Sequence, residues 1–129
     1  MLQPRVIRVL LVDDEPDIRT LFRLRLRAGP FEVVAEAIDG LIAITLAEIT
    51  RPDVILLDID MPALDGLTAI HQLRRVSPAS RIVVCSSGSI YAPVADQVQQ
   101  MADGYIDKVQ AMLHLDEHLM AMLGSDVAG

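Results

Sequence analysis

Short apolar runs alternate with stretches of helical period along this chain. Runs rich in Val, Ile and Leu occur at Val6–Val12, Val33–Ile38, Val54–Leu57 and Ile82–Cys85, with a weaker one at Tyr105–Ile106. They lack the strict apolar–polar alternation of a half-exposed strand. This predicts strands buried on both faces, as in a parallel sheet. Between them apolar residues recur at helical spacing: Ile18, Leu21, Phe22 and Leu26, then Leu41, Ile44, Leu46 and Ile49, then Leu67, Ile70 and Leu73. Val94, Val98 and Met101 mark a fourth helix, and Met112, Leu115, Leu119 and Met122 a fifth. Turn chemistry separates the runs at Asp39-Gly40, Arg51-Pro52-Asp53, Ser77-Pro78 and Asp103-Gly104, and Pro93 suits the first turn of the fourth helix. Five β-then-α units predict an open, doubly wound α/β sheet of five parallel strands, for which 2-1-3-4-5 is a common order.

The pattern fills one domain across residues 1–129, with a core of about 5–124 and an aperiodic tail, 124–129, expected to be flexible. Apolar residues make up 52% of the chain but aromatics only 3%, so the core must be aliphatic. Eleven Lys and Arg against eighteen Asp and Glu give a net charge of -7. That balance argues against nucleic-acid binding or membrane attachment by charge. Cys85 is the single cysteine, so no internal disulfide forms, in keeping with a reducing cytoplasmic setting. The stretch Val6–Val12 is interrupted by Arg8 and is too short for a signal-peptide core or a membrane span.

Chemistry gathers where the strands end. In an open α/β sheet ligands bind beyond the carboxyl ends of the strands, where the strand order reverses. For the order 2-1-3-4-5 that point lies between strands 1 and 3, which end in Asp13-Asp14 and in Asp58. Three carboxylates so close repel one another unless a cation or proton intervenes. A hard divalent ion with oxygen ligands, Mg²⁺, resolves this. The competing role is capping, with Asp13 or Asp14 at the start of the helix near Pro16. Ser86 ends strand 4 and Lys108 ends strand 5, adding a hydroxyl and an ammonium at the same edge. Together these groups suit an in-line phosphoryl transfer to Asp58, with Lys108 offsetting charge and Ser86 donating a hydrogen bond.

The segments Val9-Leu-Leu-Val-Asp-Asp-Glu15, Pro52-Asp-Val-Ile-Leu-Leu-Asp-Ile-Asp-Met-Pro-Ala-Leu-Asp-Gly66, Ile82-Val-Val-Cys-Ser-Ser87 and Ala102-Asp-Gly-Tyr-Ile-Asp-Lys108 resemble the receiver domain of two-component response regulators. The resemblance runs from about Arg5 to the last helix. It implies a flavodoxin-like receiver fold and a signalling phosphoacceptor rather than a metabolic enzyme. It further implies phosphorylation of Asp58 from a phospho-histidine of a sensor histidine kinase or phosphotransfer protein, or from a small acyl phosphate. By the same resemblance Asp13, Asp14 and Asp58 hold Mg²⁺ with the Asp60 backbone carbonyl, Ser86 and Lys108 bind the phosphoryl group, and Tyr105 moves with Ser86 as the switch. Family members usually carry Pro after the lysine, whereas Val109 stands here, so a trans bond is expected. Asp60 also places an acid two residues past the acceptor, where it is expected to modulate hydrolysis of the acyl phosphate.

Other readings fit less well. Asp58-Ile59-Asp60 is similar to the nucleophile motif of haloacid-dehalogenase-type phosphatases, but it follows the third strand and its acidic partners lie upstream. A flavodoxin-like electron carrier needs a Ser/Thr/Gly-rich phosphate loop where this chain has Asp13-Asp14-Glu15. His114-Leu-Asp-Glu-His118 matches an inverted zinc-protease pattern, yet only eleven residues follow for a third ligand. A degenerate receiver acting as a binding-only module would be expected to lack some of the carboxylates, hydroxyl and lysine found here. Glu15, Arg19, Arg23 and Arg27 recur every four residues, a solvated face that by the resemblance flanks the donor's docking site. The last helix carries Leu113 and Met120 off its main apolar line, which suggests a homodimer or output partner through the fourth and fifth helices. Only Asp116 and Glu117 are charged along that helix, so the ionic dimer of winged-helix regulators is not expected.

Overall fold

Strand and helix alternate in the order β1 (Ile7–Val12), α1 (Pro16–Leu26), β2 (Phe31–Ala37), α2 (Gly40–Thr50), β3 (Val54–Asp58), α3 (Gly66–Val76), β4 (Arg81–Ser86), α4 (Ala92–Met101), β5 (Gly104–Asp107) and α5 (Lys108–Val127). The computed structural model describes residues 5–62, 65–88 and 92–127. Every strand pairing is parallel, and the order is β2-β1-β3-β4-β5, as the sequence pattern predicts. This is the flavodoxin-like arrangement.

The strands read as unbroken apolar runs because both faces of the sheet are covered. Ile7, Val9 and Leu11 pack with Phe22 and Leu26 of α1 and with Ala111, Leu115 and Leu119 of α5. Leu10 and Val12, one position out of phase, pack with Ala43 and Ala47 of α2, Ile70 and Leu73 of α3 and Val98 of α4. The period-two geometry of a strand thus splits one run of residues between two aliphatic cores. Asp39 and Asp65 cap α2 and α3 by accepting from the backbone N–H of Ile42 and Thr68. α1 opens instead on Pro16, with Glu15 at its N-cap making no side-chain cap.

Several boundaries differ from the sequence reading. β2 starts at Phe31 and ends at Ala37 rather than spanning Val33–Ile38, and Ile38 is exposed. Lys108 opens α5 instead of closing β5. α5 continues through Gly124 to Val127, because a glycine costs a helix only about 1 kcal/mol. Helical geometry breaks at His114 (φ -143°, ψ 36°), where Arg25 Nε donates to the carbonyl of Met112 at 2.8 Å. His114 and His118 therefore do not share a continuous helical face. Met120 packs against the core, whereas Val109 and Leu113 remain exposed. No cis peptide bond occurs among the described residues, and the Lys108–Val109 bond is trans. No described helix is long and apolar enough to cross a membrane.

Candidate functional site

The carboxyl ends of β1, β3, β4 and β5 converge at one mouth. β1 and β3 are neighbours from Val9 opposite Val54 to Val12 opposite Leu57, so the residues that follow leave the sheet side by side. Carboxylate oxygens of Asp13, Asp14 and Asp58 lie within 4.8 Å of one another. Asp13 and Asp58 are buried, 1% and 2% exposed, while Asp14 faces solvent. Capping does not explain the group: Asp13 Oδ1 accepts only from the Glu15 N–H, at 2.8 Å, ahead of the helix.

Lys108 answers this charge from the start of α5. Its ammonium donates to Asp58 Oδ2 at 3.0 Å and approaches Asp13 Oδ2 at 3.4 Å and Glu15 Oε1 at 3.7 Å. Burial opposes its charge, but the hydrogen bond and negative charge of Asp58 outweigh that and hold the ammonium protonated well above its usual range. Asp58 Oδ1 accepts from the Asp60 N–H at 2.9 Å, so both oxygens of Asp58 have a donor. Asp13 Oδ2 is different: it is buried without a hydrogen-bond donor. Burial, aided by the charge of Asp58, pushes the Asp13 carboxyl up to about 6 despite the Glu15 N–H and Lys108.

That unsatisfied oxygen tests whether a metal suits the site. A buried carboxylate oxygen with no hydrogen-bond donor, its only counter-charge the Lys108 ammonium at 3.4 Å, beside two further carboxylates, is a donor set that a hard, oxygen-seeking cation completes. Asp13, Asp14 and Asp58 fit such an ion. The side chain of Asp60 is engaged elsewhere. Its Oδ1 accepts from the Ser86 hydroxyl at 3.0 Å and its Oδ2 from the Ser87 N–H at 2.6 Å. Burial works against the charge of Asp60, but those Ser87 and Ser86 donors prevail and hold its carboxyl below the usual range.

The sequence-predicted residues Asp13, Asp14, Asp58, Asp60, Ser86 and Lys108 thus meet at one edge. Tyr105 is half-buried on β5, in register with Val84, and packs against the α2–α3–α4 core. Sequence reading missed the anchor behind the first loop. Glu36 on β2 accepts from Arg19 Nε at 3.0 Å and Arg23 Nη1 at 2.6 Å, while Arg19 Nη1 donates to the Asp13 carbonyl at 2.8 Å. The regular four-residue spacing of the arginines was visible; their shared partner on another strand was not. Two members of the basic stripe are therefore tied to β2, Arg19 largely covered and Arg23 still partly exposed.

Residues 9–120 match the family model described as the response regulator receiver domain. The chemotaxis protein CheY of Listeria monocytogenes serovar 1/2a is 35% identical over 103 residues, covering 80% of this chain and 87% of that protein. The nitrate/nitrite response regulator protein NarL of Escherichia coli K12 is 41% identical over 101 residues, 78% of this chain but 47% of the longer protein. Among solved structures, a two-component response regulator of the LuxR family from an Aurantimonas species superposes with a TM-score of 0.79 at 30% identity, covering 94% of this chain and 87% of that one.

Proposed function

The chain belongs to the response regulator receiver domain family, and from that premise we propose that it is a phosphorylation-controlled switch with Asp58 as its phosphoacceptor. The observation that carries this reading is the buried Asp58 carboxylate, bonded to Lys108 at 3.0 Å beside Asp13 and Asp14. Asp58 is the nucleophile, held in place through the Asp60 N–H and the Lys108 ammonium. Transfer forms an O–P bond at Asp58 and breaks the P–N bond of a phospho-histidine, or the P–O bond of an acyl phosphate. Lys108 and the Ser86 hydroxyl meet the phosphoryl oxygens as charge develops on them. Asp13, Asp14 and Asp58, with the Asp60 backbone carbonyl, would hold Mg²⁺, which offsets the charge of the incoming phosphoryl group.

The donor partner is a sensor histidine kinase or a phosphotransfer protein, and the setting is cytoplasmic. The output is a changed surface around β4, α4, β5 and α5, with Ser86 and Tyr105 as its moving parts and another copy or an effector as its reader. Hydrolysis of the acyl phosphate resets the switch, so the protein is a signalling phosphoacceptor rather than a turnover enzyme. Incubation with acetyl phosphate or phosphoramidate and Mg²⁺, followed by intact mass measurement, tests the assignment. One added phosphoryl group is expected, lost in Asp58→Asn and without metal. No gain, also from a phospho-histidine donor, would overturn it.

A further inference from the structure

Helix α2 is apolar all round, and it turns its small residues inward and its large ones outward. Ala43 and Ala47 face the sheet and are fully buried. The outer side carries Leu41 at 76%, Ile49 at 72% and Ile42 at 38% exposure, with Ile38 just ahead of the helix at 52%. Thr45 stands exposed in their midst, its hydroxyl bonded back to the Leu41 carbonyl at 3.3 Å. Ile38, Leu41, Ile42, Thr45 and Ile49 follow the three- and four-residue steps of a helix–helix seam, and a helix apolar on every side belongs in an interior. These side chains leave on the order of 400 Å² of apolar surface in one patch, the size that marks an interaction site on a monomer.

The seam is complementary to itself. At 1.5 Å per residue Leu41 and Ile49 lie about 6 Å to either side of Thr45. A twofold axis at Thr45 that sets two α2 helices antiparallel therefore seats Leu41 against Ile49 of the second copy, twice over. Glu48 is the one charged residue within α2. It stands one turn past Ile44, which shares a groove between α2 and α3 with Arg75. Antiparallel pairing turns Glu48 toward that side of the second copy and its Arg75, and neither charge has a partner among the described residues. Asp39 caps the start of α2 and Arg51 its end, so antiparallel helices set unlike charges and unlike dipole ends side by side. A lipid surface fits less well, because a helix lying on a membrane flanks its apolar stripe with Lys and Arg, not with Asp39 and Glu48.

We propose that the outer face of α2 is a docking surface for a second copy of this chain, paired antiparallel about a twofold axis at Thr45 and formed whether or not Asp58 is phosphorylated. An ordinary homodimer contact takes about 800 Å² from each copy, roughly two-thirds of it apolar. The patch supplies most of that apolar share, and Glu48 and Arg75 give it a charged rim. α2 packs toward the β2 edge of the sheet, whereas the surface assigned to output lies at the β5 edge, so the two contacts do not compete.

Sedimentation equilibrium tests this. The wild type and Asp58→Asn should both show a monomer–dimer equilibrium with a dissociation constant on the order of 10–100 µM. Leu41→Gln and Ile49→Gln should each weaken it more than about tenfold, since each change removes two contacts per dimer. In dilute solution, where the chain is monomeric, the same changes leave unfolding in urea nearly unaltered, so misfolding does not account for the loss. Glu48→Arg should weaken the dimer about fivefold, and adding Arg75→Glu should restore it. Thr45→Cys should oxidise to a disulfide-linked dimer, while Leu24→Cys, at an exposed site on α1, should not. A wild type monomeric up to about 0.5 mM would overturn the proposal, and its co-sedimentation with phosphatidylglycerol vesicles would give the stripe to a lipid surface instead. A dimer indifferent to Leu41→Gln and Ile49→Gln would overturn it by placing the contact elsewhere. A dimer lost in those variants, yet without the Thr45→Cys cross-link or the charge-swap rescue, would overturn the antiparallel pairing.

Discussion

At Asp13 a single oxygen decides the energetics of the site. Its folded carboxyl binds a proton more tightly than an unfolded one, being pushed up to about 6 by burial and the charge of Asp58. Stability from this group is therefore greatest at low pH and is lost as pH rises from the ordinary carboxylate range through about 6. At pH 7.5 in chelator, Asp13→Asn is expected to raise the unfolding midpoint by roughly 4 °C, with the gain shrinking as pH falls through about 6 and vanishing only below the ordinary carboxylate range in calorimetry. Adding Mg²⁺ should stabilise the wild type and leave the variant little changed. Cys85 gives a second residue-level test. It is 0% exposed, and burial followed by the charge of Asp58 pushes its thiol well above the usual range. Labelling by a thiolate-directed reagent should be slower by more than about 100-fold in the native protein than in urea. Comparable rates would show that β4 opens readily.

At the scale of elements, α1 is tied to both β2 and the acidic loop after β1 through Arg19, Arg23 and Glu36. The ion pairs are partly exposed, so their worth to stability is small, on the order of 0.5–1 kcal/mol. Their larger effect is to hold the Asp13 carbonyl, which accepts from Arg19 at 2.8 Å. Arg19→Met is expected to weaken Mg²⁺ binding about tenfold while the unfolding midpoint falls only slightly, as isothermal titration and a thermal melt would separate. An unchanged metal affinity would mean the loop holds its shape without α1. α5 shows the complementary case, an element whose regularity breaks where another helix contacts its backbone. The carbonyl of Met112 is bonded by Arg25 of α1 beside the break at His114. Helix α1 thus braces both the acidic loop and the last helix.

Across the whole molecule, chemistry and packing are separated by direction. The carboxyl ends of the strands carry the acids, Ser86 and Lys108, while the two aliphatic cores lie on the faces of the sheet. The helices that cover those faces keep some apolar side chains outside, notably Leu41 at 76% and Ile49 at 72% exposure on α2. Little is buried there, so Leu41→Gln and Ile49→Gln are each expected to shift stability by less than about 0.5 kcal/mol in urea denaturation. A loss of several kcal/mol would reveal packing on that surface. The same burial argument gives the opposite expectation for the sheet, where Leu57 is 0% exposed and Leu57→Ala should cost roughly 2–5 kcal/mol.

The sequence by itself determined the alternation of strands and helices and the edge at which the acids, the hydroxyl and the lysine gather, while the strand order, expected as a common one for such a sheet, was settled by the packing. Period-two and helical spacing are local properties, and residues that follow a strand must leave the sheet at its carboxyl end. Asp13, Asp14, Asp58, Ser86 and Lys108 were legible for that reason, each standing just past a buried apolar run. Only the tertiary structure decided what their neighbours do. Asp60 lies close to Asp58 in sequence, yet its carboxylate spends itself on Ser86 and Ser87, 26 and 27 positions away. Arg19 and Arg23 looked solvated until Glu36 came beside them, and a regular last helix became a broken one where Arg25 met Met112. Side-chain hydrogen bonds join residues by proximity in space, and that proximity exists only once both faces of the sheet have packed.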